Sequence, residues 1–251
     1  PWVIFVKSKK QDRKAAVRSK ALAKDTTSKD DISIAIIGSG FGGLGLAIQL
    51  KKAGINNFTI FEKASDVGGV WRDNTYPGAA CDVPSHLYSF SFEQELGWNN
   101  RFGTADEIHG YLRHCADKYG IRQHIRFNTE IVSAEFDESD SVWMLRTAEG
   151  EVHGAMIMVA AVGQLNRPAY PDLKGSSVFA GKTFHSARWD HDYDLKGKRV
   201  AVVGTGASAI QFIPEILSQV AHIDVYQRSA PYVLPKPDKR YGRLKKALFR
   251  N

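Results

Sequence analysis

Apolar runs broken by glycine-rich turns organise this chain. "ISIAIIG", Ile32 to Gly38, is a continuous apolar run, as expected of a strand buried on both faces of a parallel sheet. Helical spacing follows from about Phe41 to Ala53, and "NFTIFE" reads as a strand ending at Glu62. Strand, glycine turn, helix and strand make one βαβ unit. Residues 63–103 lose periodicity and read mostly as loop; so long a loop in a compact domain tends to carry function. A helix is predicted from Ala105 to Tyr119, capped by Thr104. Strands are predicted near "HIRFN", "EIVSAEFD", "SVWMLRT" and "MIMVAAVG", the middle two as a meander on the main sheet. After the exit loop "GQLNRPAYPDLKG", "KRVAVVG" opens a second βαβ unit, with a helix near Ser208 to Leu217 and a strand at "HIDVYQR". The fold class is α/β: two Rossmann-like dinucleotide-binding units, the second incomplete.

The two units match at an offset of 166 residues. Gly38 maps to Gly204, Gly40 to Gly206, Gly43 to Ala209, and Glu62 to Arg228. In a G-x-G-x-x-G turn after a strand, the first glycine permits the tight turn. The second removes a Cβ where a pyrophosphate approaches, and the third lets helix and strand pack. The helix N-terminus offers N–H groups and partial positive charge to phosphates. Glu62 stands where an acid would accept from a ribose diol. Arg228 stands where a guanidinium would bind a ribose phosphate that a carboxylate would repel. Two such sites with opposite ribose partners imply two cofactors: FAD at the first, and at the second NADPH in preference to NADH.

Charge excludes one class. The formal net charge is +7, but residues 1–31 carry nine basic and four acidic side chains, and residues 236–251 carry seven and one. The ends are thus +5 and +6 and the body, residues 32–235, is −4, the wrong sign for a nucleic-acid-binding face. Residues 1–31 read as a basic flexible arm. Cys81 and Cys115 are too few for a disulfide framework and form no C-x-x-C pair. His109, His114, Cys115 and His124 lack metal-ligand spacing, so no metal is expected. No signal or bilayer-length apolar run appears, which gives a cytoplasmic protein with no membrane partner.

"FAGKTFHSARWD", Phe179 to Asp190, sits between the turns with neither strand alternation nor a helical stripe. It resembles the F-x-G-x-x-x-H-x-x-x-W-[PD] fingerprint of Baeyer–Villiger monooxygenases at Phe179, Gly181, His185, Trp189 and Asp190. "FEKASDVGGVWRDNTYPGAACDVPSHLYSF" is similar to that family's flavin-covering loop, and "GTGASAIQ" and "VYQRSAPYVLP" to its NADPH segments. The resemblance runs from about Ile32 to Lys236. It implies an FAD-binding domain over 32–175, a linker with the fingerprint over 176–197, and the start of an NADPH-binding domain over 198–251. One departure is Ala161-Val162-Gly163 where the family often has A-T-G. Another is length: the family runs to about twice this chain, so the chain reads as the N-terminal portion of a longer enzyme, without the arginine that serves the peroxide.

The resemblance implies an NADPH-dependent oxygenation of a ketone by O2, through a flavin peroxide, to an ester or lactone. Its alternatives are N- or S-oxygenation by a flavin-containing monooxygenase, which Trp189 and Asp190 disfavour, and a non-catalytic FAD-binding fragment that needs a C-terminal part. The implied FAD contacts are Gly38, Gly40, Phe41, Gly43, Glu62, Lys63, Gly69, Val132 and Gly163. Trp71 and Tyr88 read equally as flavin contacts or loop core. Asp82 is the implied acid near the flavin, orienting the nicotinamide. His185 is expected to couple the domains by a hydrogen bond, with Gly181 as hinge. Gly204, Thr205, Gly206, Ser208, Gln211, Arg228 and Ser229 are the implied NADPH contacts. Ketone and O2 are the implied small-molecule partners; the oligomeric state stays open.

Overall fold

The computed structural model describes residues 3–5, 31–95 and 97–249. The chain divides into two compact units, Pro1–Val67 with Ala116–Gly163, and Gly68–Cys115 with Gln164–Asn251.

In the first unit, β1 (Val3–Phe5), β2 (Ile34–Ile37) and helix α1 (Phe41–Lys52) precede β3 (Phe58–Phe61). The short β4 (Ile125–Arg126), β5 (Ile131–Asp137), β6 (Val142–Thr147), β7 (Val152–Ala155) and β8 (Ile157–Ala160) come later. The main sheet has the order β1-β8-β2-β3-β4, with β2 parallel to both neighbours. Strand β2 therefore stands at the switch point, where ligands bind beyond the carboxyl ends of an open α/β sheet. Its two faces are both buried, which is why its residues are uniformly apolar. Ile36 is fully buried, as are Leu44 and Ile48 of α1 and Ile60 of β3; each such side chain contributes about 1.5–3 kcal/mol. Adjacent Ala35 belongs instead to a cluster with Phe61, Met158, Leu145 and Ala155, so the antiparallel sheet β5-β6-β7 packs on the main sheet.

Three expectations change here. The arm over 1–31 begins with a strand: Val3–Phe5 pairs antiparallel with β8 at the sheet edge, while residues 6–30 lie outside the described residues. The meander has a third strand, β7, whose Val-His-Gly-Ala sequence shows no strand alternation; cross-strand pairing to β6 imposes it. "HIRFN" yields only two strand residues.

In the second unit, a single-turn helix α2 (Val70–Asp73) is followed by α3 (Ala105–Lys118), which runs on past the unit boundary. Thr104 Oγ1 accepts from Glu107 N–H at 3.3 Å and a Glu107 carboxylate oxygen accepts from Thr104 N–H at 3.1 Å, a reciprocal cap that starts α3 where predicted. Strands β9 (Arg199–Val203) and β10 (His222–Tyr226) pair in parallel around α4 (Ala207–Ile216), and α5 is Arg243–Phe249. Tyr76, Val202, Ala209, Phe212 and Ile216 form this unit's cluster.

The register also corrects the repeat. Ile37, just before Gly38, pairs with Phe61, and Val203, just before Gly204, pairs with Tyr226. Gln227, not Arg228, therefore matches Glu62, and Arg228 matches Lys63. The second unit is one residue shorter between turn and strand end (62 − 38 = 24; 227 − 204 = 23), so the constant offset fails there.

Candidate functional site

The first turn is assembled at the end of β2. Gly38 adopts φ +99°, and its N–H donates to Phe61 O at 2.8 Å. A Cβ on Gly38 would lie 2.8 Å from Ala161 O, so strand β8 exits directly over the turn. A Cβ on Gly43 would lie 1.9 Å from Gly38 O: α1 rests on the turn with room for a hydrogen and nothing more. Gly40 caps α1 without any side-chain hydrogen bond, and the first turn of the helix holds no acid. Glu62 is 3 % exposed. Its Oε2 accepts from Ser39 N–H at 2.9 Å and from Ser39 Oγ–H at 2.6 Å, and Oε1 accepts from Ala64 N–H at 3.0 Å. Glu62 thus braces the turn, a task the sequence did not announce. Lys63 is exposed beside it, and Val132 is exposed at the irregularity between Ile131 and Ser133 where β5 shifts register. Gly163 has φ +71° and open space at its Cβ position.

The second turn repeats the design with more room. Gly204 has φ +105°, and its N–H donates to Tyr226 O at 2.9 Å. A Cβ on Gly204 or Gly206 would meet nothing within 4 Å, and α4 starts at Gly206 with no side-chain cap. Ala209, in the third glycine's place, is buried. Thr205 is half-buried, and Arg228 and Ser229 are exposed beyond β10.

A loop closes on α4. Tyr76, Pro77, Gly78 and Ala79 form a turn closed by Ala79 N–H to Tyr76 O at 3.2 Å; proline second and a positive-φ glycine third (φ +75°) give its type II pattern. A Cβ on Gly78 would lie 2.9 Å from Gln211 O, so the loop meets the helix backbone to backbone. We expect Gly78→Ala to cost about 2 kcal/mol from strain and contact together, lowering Tm by about 4–8 °C in a thermal melt; an unchanged Tm would refute the close approach. Gln211 then uses its whole amide on this loop, as donor to Ala80 O at 2.9 Å and Asp82 Oδ1 at 3.3 Å, and as acceptor from Tyr76 O–H at 2.9 Å and Ala80 N–H at 3.3 Å. Both its acceptor sites and both its donors are taken by protein, leaving none for a cofactor. Asp82 itself is exposed.

Further along the loop, Gly69 has φ +56° at the start of α2. Trp71 Nε1–H donates to Tyr88 Oη at 3.1 Å and the rings meet edge-on at 5.4 Å; burial pushes the Tyr88 phenol up, against the Trp71 bond. In the fingerprint, Trp189 packs between Phe184 and Phe212, each at 5.2 Å. Lys182 pairs with Asp190. A Cβ on Gly181 would lie 2.5 Å from the Phe179 ring. His185 acts locally: Nδ1 accepts from Ala187 N–H at 3.1 Å, and the ring meets Tyr170 edge-on. Burial and then the Arg188 charge push the His185 imidazole below its ordinary value.

Two cavities, of about 290 and 340 Å3, are lined by residues outside both glycine turns. Among the described residues there is no metal-ligand cluster, and no helix is long and apolar enough to cross a membrane. Cys81 and Cys115 are buried thiols, not joined in a disulfide.

The family model for pyridine nucleotide-disulphide oxidoreductases matches residues 35–245, which takes in both turns. The chain belongs to that family. Among pyridine nucleotide-disulphide oxidoreductase relatives, a Baeyer–Villiger monooxygenase of Pseudomonas aeruginosa is 53 % identical over 217 residues, covering 86 % of this chain and 41 % of its own length. The structure of an oxidized steroid monooxygenase bound to NADP is 41 % identical with a TM-score of 0.78, covering 86 % of this chain and 42 % of that one. OTEMO in complex with FAD and NADP is 32 % identical with a TM-score of 0.81, covering 88 % and 43 %. The chain therefore spans about two fifths of the length of the proteins it matches. Against that family background, Ser39, Tyr76 and Gly78 are site-shaping residues that motif reading passed over. The Y-P-G turn pattern was the available signal for the last two; Ser39, an interior position of the glycine motif, gave none.

Proposed function

We propose that this chain is the FAD- and NADPH-binding part of a flavoprotein monooxygenase that inserts one oxygen atom of O2 beside a ketone carbonyl, giving an ester or lactone. The observation carrying the reading is the pair of helices without side-chain caps, α1 and α4, each following a short turn whose first glycine, at a strand end, has positive φ. Similarity to Baeyer–Villiger monooxygenases supplies the chemistry. The residues present fit both groups. Gly38 and Gly43 keep side chains out of the first turn, and the space beside Gly206 is open. FAD would lie with its pyrophosphate at the start of α1 and its ribose toward Glu62. NADPH would lie at α4, with Arg228 and Ser229 donating to its ribose phosphate. When bound, the nicotinamide supplies a hydride and the flavin accepts it and activates O2.

The chain's own residues bind, orient and hold charge. Asp82 would present its carboxylate to the nicotinamide from a loop that Gln211 holds to α4. Trp71 and Tyr88 stiffen that loop. Burial and then the Arg188 charge disfavour the protonated His185 ring, and its Nδ1 accepts from Ala187 N–H. With Nδ1 occupied, Nε2 is the ring nitrogen left for a partner outside this segment. The residues 176–197 would form the joint between the cofactor domains. The test is turnover, with FAD present, by a full-length enzyme that contains this chain, comparing NADPH with NADH and a ketone panel with a sulfide. Ester formation with a preference for NADPH is expected. Sulfoxide without ester, or a preference for NADH, would overturn the corresponding part.

A further inference from the structure

The segment Ala79–Cys81 is paired on both sides like an inner strand. Ala105 N–H donates to Ala79 O at 2.8 Å and Cys81 N–H to Gly103 O at 2.9 Å, so its odd residues face residues 103–105. Ala80 points its N–H and C=O the other way, and there the partner is the Gln211 amide, making the two bonds a neighbouring strand would make. The same amide reaches Asp82 two residues on. Its second acceptor site holds Tyr76 O–H. A line of hydrogen bonds thus runs from Tyr76, through the Gln211 amide on α4, to the Asp82 carboxylate.

We propose that Gln211 is a positioning residue: its side-chain amide fixes Ala80 and Asp82 to helix α4, so that the carboxylate is placed by the same element that would hold the nicotinamide nucleotide. This rests on reading Gly204–Gly206 as a nucleotide turn. Gln211 touches no reacting atom. Its effect passes through Asp82, and it depends on the amide being donor and acceptor at once.

Cys81 reports on the segment, because its thiol is buried at 5 % exposure within it. Alkylation at Cys81 is followed by mass spectrometry, separately from Cys115, as a ratio to the parent chain at each pH, so that thiolate chemistry cancels. Gln211→Met keeps length and loses every bond; it should raise the ratio about tenfold at all pH, the effect of losing roughly one net hydrogen bond or more from a local opening equilibrium. Gln211→Glu carries the decisive signature. Protonated, the acid still donates and accepts, and the ratio stays near one. Ionised, it faces the Asp82 carboxylate and Ala80 O without a donor, and the ratio should climb to the Gln211→Met value as pH rises. A pH-independent ratio for Gln211→Glu, or an unchanged one for Gln211→Met, would overturn the proposal. Should Gln211→Met not fold, the rise of the Gln211→Glu ratio between low and high pH still decides. The readout needs no nucleotide: failure there removes the positioning role, whereas a parent chain that binds no NADPH removes the reading of the turn.

Discussion

Gly43→Ala is expected to unfold the first unit or leave it at the edge of folding, with a loss of more than about 4 kcal/mol in urea unfolding and no retained FAD. The added methyl would sit 1.9 Å from the Gly38 carbonyl oxygen. That oxygen belongs to backbone, in a turn held by Phe61 on one side and crowded by Ala161 on the other. No flexible side-chain end is available to swing away, so helix or turn must move as a body through a close-packed core. The second copy is the internal control. Ala209 carries the same methyl without strain, and Ala209→Gly should cost only about 1 kcal/mol, largely its helix propensity. A Gly43→Ala chain within about 1 kcal/mol of the parent would show that α1 can back off its turn.

Glu62→Ala should be nearly as costly, about 3–5 kcal/mol, because it strips a buried carboxylate from three donors at once. Ser39 loses acceptors for both its N–H and its hydroxyl, and Ala64 loses one. Glu62→Gln separates shape from charge. One amide oxygen can face Ser39 or Ala64 but not both, and the NH2 group then opposes an N–H. A loss of about 1–3 kcal/mol is expected, between parent and Glu62→Ala. Chemical denaturation of the three chains gives the order. Equal losses for Gln and Ala would mean the charge, not the count of acceptors, holds the turn.

Much of this was legible in sequence because glycine and strand-length apolar runs are local signals. The strand before Gly38, the helix from Phe41 and the cap at Thr104 all follow from residues within a few positions. What stayed hidden depends on distant partners. Strand β7 exists because β6 lies beside it. The one-residue slip behind Arg228 appears only in the pairing of β9 with β10, since a shortened connection leaves the motif residues themselves unchanged. Gln211 looks like any second-turn helix residue until the loop carrying Tyr76, 135 positions away, is folded against it.

The Phe179 ring occupies the volume that a side chain at position 181 would need. Phe179 and Gly181 are thus coupled in space, with the ring of residue 179 filling what residue 181 leaves open. Because that ring is 63 % exposed, it can turn into solvent where the Gly38 carbonyl above Gly43 cannot, so an alanine at 181 should displace Phe179 rather than the backbone and leave stability nearly unchanged.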